Sequence, residues 1–156
     1  MKLDIYQLKK LIEITLKKLG DKFYSKKAVD LLLRTAIVES NAKYIYQLGN
    51  APARGFFQIE PATAKSIYDN FLLYRPELLE RINEIVGIGW HKDLDYKLSS
   101  DIGLGIILAR LKYYPNPTPI PDDLAGQAYY WKKNYNTEKG AGSIEKFIKI
   151  CEEMGC

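Results

Sequence analysis

Ala36-Ile37-Val38 ends an apolar helical run, and the next residue is a carboxylate, Glu39. A carboxyl group against apolar surface is desolvated, and desolvation raises its pKa. The partial negative charge at a helix C-terminus acts in the same direction. Such a group holds a proton near neutral pH and can pass it to a leaving group, as glycosidic oxygens require. The competing reading is an exposed helix-end glutamate paired with Arg34 or Lys43. A second carboxylate, Glu60, follows the nearly uncharged stretch Gly55-Phe56-Phe57-Gln58-Ile59. Two carboxylates about 6.5–9.5 Å apart leave room for a water and permit hydrolysis with inversion. Glu60 has a structural alternative, a favourable negative charge in the first turn of a helix opened by Pro61. No nucleotide-binding loop or nucleophilic Ser-His pair competes, and His91 in Gly-Trp-His-Lys reads as a surface residue.

These groups need a scaffold. Ile5, Leu8, Leu11, Ile12, Leu16 and Leu19 recur at helical spacing, predicting a helix over 4–18 that ends near Gly20. Ser25 can cap a helix over 26–39, apolar nearly all round in its second half and so central and buried. Residues 40–57 read as a loop or small hairpin. Pro61 opens a helix to about Tyr74, and Pro76 one through Val86. Ser99 or Ser100 is the expected cap of an apolar helix that ends at the stiff PNPTPIP connector. Asp122 or Asp123 caps a helix to about Lys133, and Ser143 caps the last. Asp101 is a helix-start acid with no assigned chemistry. No period-two run appears, so the fold class is mainly α in one compact domain over 1–156.

Composition narrows the function classes. The net charge of +4 is mild, and no run of five like charges occurs, which argues against nucleic acid. Twelve tyrosines against five phenylalanines supply flat faces with polar tips, suited to sugars. Tyr44, Tyr46 and Trp131 are the candidates for stacking. Cys151, Cys156 and His91 have no zinc spacing, so neither metal nor cofactor is expected. The two thiols are expected to be free in a reducing compartment. The first twenty residues are interrupted by charge every two or three positions. Neither a signal peptide nor a membrane span is expected.

Glu39-Ser40, Gly55-Phe56-Phe57-Gln58-Ile59, Pro61-Ala62-Thr63-Ala64 and Ala128-Tyr129 stand in an order that resembles the lysozyme-like family of soluble lytic transglycosylases, goose-type lysozymes and phage muralytic enzymes, over about residues 28–135. The resemblance implies a lysozyme-like domain with a central buried helix and a substrate groove. It makes Glu39 the catalytic acid and Ser40 its anchor or a substrate contact. Gln58 becomes the glutamine lining the saccharide groove, with Phe57 beside it, and Tyr129 the tyrosine whose hydroxyl faces the acid. Tyr130 takes that role if the register slips by one. The acidic residue after Gln-Ile, Glu60, is closer to goose-type lysozymes than to the transglycosylases, many of which carry methionine there. Phe56-Phe57 replaces the usual Leu-Met. Ala128-Tyr129-Tyr130-Trp131-Lys132 lacks the family's asparagine and glycine, and YYWKKNYNTEKGAGSIEKF is similar to small phage wall-degrading proteins.

The implied activity is cleavage of peptidoglycan between N-acetylmuramic acid and N-acetylglucosamine. The partner is the glycan strand, and the chain is a monomer that does not insert into membranes. An endolysin made in the host cytoplasm without a signal, and released to the wall by a permeabilising partner, fits. So does a virion-associated lysin. The alternative is a non-catalytic glycan-binding or virion structural module on the same scaffold.

Overall fold

A computed structural model describes residues 4–136 and 142–156. Of the stretch likened to phage wall-degrading proteins, 137–141 lie outside the described residues. Eight α-helices make up most of the described chain. They are α1 (Ile5–Leu19), α2 (Lys26–Ser40), α3 (Pro61–Asn70), α4 (Pro76–Val86), α5 (Leu94–Ser100), α6 (Ile102–Tyr113), α7 (Leu124–Trp131) and α8 (Ile144–Met154).

Most starts follow local chemistry. Asp4 Oδ1 accepts from the amides of Tyr6 and Gln7. Ser25 Oγ accepts from Ala28 N, and Ser143 Oγ from Lys146 N. Prolines open α3 and α4, where a missing N–H costs nothing. Asp123, one of the two expected candidates, caps α7.

The cap of α6 is a correction. Asp101 Oδ1 accepts from Leu104 N, whereas Ser99 and Ser100 end the unforeseen helix α5. Ser99 Oγ donates instead to Asp95 O inside that helix. The helix from Pro61 is also shorter than expected. It stops at Asn70 and continues as a 3-10 turn, Leu72–Tyr74.

Two helices share the centre. From α2, Leu31, Leu32, Ala36 and Ile37 are buried, as expected. From α6, every residue from Leu104 to Ala109 is buried, on all sides of the helix. α6 packs against α1 to α5, and α2 against α1, α6, α7 and α8. The buried polar side chains of Thr35, Ser40 and Gln127 are paired. Gln127, fully buried, donates to Pro121 O and Lys27 O and accepts from Arg34 at 2.8 Å.

After Asn41, which closes α2 at φ +57°, the chain doubles back through bridges pairing Tyr46 with Arg54 and Arg54 with Ile59. Of the expected loop or small hairpin, the chain forms a loop held by these isolated bridges, with no strand among the described residues. Later in the chain, α7 runs into a π turn, Lys132–Asn136. The wider turn leaves Trp131 and Tyr135 both buried, on the side facing α2 and α6.

Candidate active site

Glu39 lies in the last turn of α2. Its Oε1 accepts a hydrogen bond from Trp131 Nε1 at 3.0 Å. Burial pushes the carboxyl above the usual carboxylate range, against the opposing pull of the indole bond and of the Lys112 ammonium. Arg34, proposed by sequence as a salt-bridge partner, is turned to Gln127 and to the carbonyl of Cys156. Lys43 lies over the Tyr44 ring instead, 5.2 Å from its centroid. An indole N–H is a donor only. Oε1 is therefore an acceptor, and a proton on this carboxyl belongs on Oε2.

Lys112 of α6 places its ammonium 3.9 Å from the centroid of Tyr135. Burial pulls its pKa down, while the charges of Glu39 and Glu60 push it back up. One half-buried cation thus stands within electrostatic reach of both carboxylates. Tyr135 donates to the carbonyl of Phe57 at 2.6 Å, and Tyr113 shares a hydrogen bond with Thr35 at 2.8 Å. Burial drives both phenols well above the usual range, so they stay neutral beside Glu39.

The other sequence candidates divide. Ser40, 2% exposed, donates to Ala36 O and to Phe56 O at 2.7 Å. It fastens the end of α2 to the Gly-Phe-Phe-Gln turn and is too enclosed to touch substrate. Phe57, 1% exposed, is core, because its ring lies against Gly105 of α6. Gln58 is half-buried at φ +50°, an uncommon conformation for a side-chain-bearing residue. Its amide and its Nε2 both donate to Gly55 O, at 3.0 and 2.8 Å, which holds the turn. Glu60 is exposed at the N-cap position of α3 and makes no side-chain cap bond.

Tyr129 is 65% exposed, so its side chain is not packed against Glu39. Tyr130 is buried, but its hydroxyl donates to Thr118 O. The aromatic at the acid is Trp131, two positions beyond the expected tyrosine. That is also a correction to its assignment as a sugar-stacking face, since it is 1% exposed and packs on Phe147 with centroids 5.2 Å apart. Tyr46 remains exposed, with the Arg54 guanidinium 5.1 Å from its ring centroid, and Tyr44 is half-buried.

Gly55 fixes the turn that carries Gln58. Its φ is +75°, and an added Cβ would lie 2.7 Å from the backbone oxygen of Leu98. Gly55→Ala is expected to lower stability by about 1–3 kcal/mol, read as a drop in denaturant midpoint.

The described surface carries several clefts. One of about 600 Å³ is lined by Phe23, Phe71, Arg75, Arg81 and Tyr114, and one of about 160 Å³ adjoins Phe56 and Phe57. Glu39 lines neither. Among the described residues no cluster of His, Cys, Asp or Glu could hold a metal. No helix there is long and apolar enough to cross a membrane. No protein-family model, curated protein or solved structure matches the chain.

Proposed function

We propose that the chain is a peptidoglycan-cleaving glycosidase of the lysozyme-like kind, cutting between N-acetylmuramic acid and N-acetylglucosamine, with Glu39 as general acid. The observation that carries this reading is the carboxyl at the end of α2. Burial dominates it even though an indole N–H and an ammonium both favour its charged form. A carboxyl held above its usual range by burial, with one oxygen fixed by a hydrogen bond, is the arrangement a general acid needs. Trp131 orients one oxygen, leaving the other to hand its proton to the glycosidic oxygen as the C1–O bond breaks.

Two endings are chemically open to the resulting sugar cation. The substrate's own N-acetyl and 6-hydroxyl groups can close an anhydro ring, or Glu60 can hold the attacking water. Lys112, within reach of both carboxylates, supports a shared electrostatic unit. A released phage endolysin, or a lysin carried on the virion, is the setting that places this chemistry at the wall.

A non-catalytic virion structural module on the same scaffold is favoured by one observation, the burial of Phe57, Ser40 and Trp131, which removes three expected substrate contacts. Mass spectrometry of muropeptides released from purified sacculi separates the readings. A reducing muramic end supports Glu60 as water holder, an anhydro end supports substrate assistance, and no released fragment refutes the enzyme.

A further inference from the structure

Far from Glu39, the end of α8 brings two thiols together. Gly155 takes φ +74°, its amide donates to Glu152 O, and the amide of Cys156 donates to Cys151 O at 2.9 Å. This is a Schellman cap, in which the side chains of the first and last bonded residues meet, usually as an apolar contact. Here both are cysteines. A 2.9 Å bond between the amide of one and the carbonyl of the other keeps their Cα atoms within about 6.8 Å. That lies inside the span a disulfide bridges.

The two thiols differ. Cys151 is fully buried, and Cys156 is half-buried. The interaction between the two thiols holds Cys156 below the usual thiol range and, with burial, Cys151 above it, while Arg34 favours thiolate at both. Cys156 also lines a cleft of about 290 Å³ with Tyr6, Lys9, Lys26, Asp30 and Arg34. Lys9 pairs with Asp30 at 3.4 Å, so the cleft keeps an excess of positive charge.

We propose that Cys156 and Cys151 form a redox-active pair at the cap of α8, oxidised by an anionic low-molecular-weight disulfide that enters through this cationic cleft. The Cys156 thiolate attacks one sulfur of the disulfide, forming a mixed disulfide and releasing one thiolate of the reagent. Cys151, having lost its proton, then attacks the Cys156 sulfur and expels the second. The reagent gains two electrons and the two cysteine protons, leaving as two thiols. The protein gains an intramolecular disulfide. Its ring spans only residues 151–156, so it constrains the unfolded chain little. Reactivity, rather than a staple, is what the arrangement provides.

The test treats the reduced, folded chain with oxidised glutathione near neutral pH, quenches with acid, alkylates, and weighs the intact protein and peptide 150–156. The wild type is expected to lose two hydrogens without accumulating an adduct. Cys151→Ala is expected to stop at one glutathione on Cys156, and Cys156→Ala to remain unmodified. In the Cys151→Ala background, Lys9→Gln with Lys26→Gln is expected to slow adduct formation by about tenfold. Its reaction with the neutral hydroxyethyl disulfide should be unchanged. A wild type that stays reduced, or stops at the adduct, overturns the pair. Equal slowing with both reagents overturns the anionic ligand.

Discussion

Glu39→Gln is expected to cut the rate of clearing of permeabilised Gram-negative cells by about two orders of magnitude or more. The substitution keeps the shape and the acceptor oxygen, so the Trp131 N–H stays satisfied, and it removes only the transferable proton. Equal clearing by both proteins would rule out the general-acid assignment. The wild-type rate should also fall as pH rises through the folded pKa of Glu39, because the active form is protonated. That descending limb lies above the ordinary carboxylate range, since burial raises this group.

The same shift fixes a second readout. The folded pKa of Glu39 lies above its unfolded value of about 4.3. Its contribution to stability is therefore fully present below that pH and is lost as pH climbs through the folded pKa. The glutamine variant has no such loss. It should match the wild type in denaturant midpoint at low pH and exceed it near neutral pH. Lys112 opposes this, because its buried ammonium gives up the favourable charge of Glu39 while keeping that of Glu60. The gain at neutral pH is the remainder. An inactive variant that is also destabilised at neutral pH would point to a structural glutamate instead.

Helix boundaries were legible where one residue's chemistry decides them. Ser25, Ser143, Pro61 and Pro76 act locally, and each starts the helix its type suggests. Ser99, Ser100 and Asp101 offered three caps in a row. Only the existence of α5 makes the serines its end and the aspartate the next beginning. The burial of α2 could be read from its apolar second half, and with it the niche of Glu39. The rotation of α7 could not. Tyr129, Tyr130 and Trp131 are three large aromatics in succession, and pattern alone does not say which faces inward. Phe147, Tyr113 and Thr118, all distant in sequence, choose Trp131 and Tyr130. The π turn that also buries Tyr135 has no signature in composition. Nor does sequence order reveal that Lys112, on another helix, stands near both carboxylates.

That dependence on distant packing makes Phe147→Ala the largest stability change expected. Phe147 is fully buried in α8, and its ring meets the indole of Trp131, the residue that holds Glu39. Truncation removes apolar contact and leaves a cavity, together about 3–5 kcal/mol. The denaturant midpoint should fall while the slope of the transition stays constant. Phe147→Met, which refills most of the volume with a flexible chain, should lose roughly 1.5 kcal/mol or less. Activity measured well below each variant's unfolding temperature then isolates the positioning effect. If the indole is what aims the carboxyl, Phe147→Ala loses clearing activity even while folded, and Phe147→Met recovers most of it. Full activity in folded Phe147→Ala would mean that Glu39 keeps its orientation without the α8 contact, and that Trp131 packs beside the acid without aiming it.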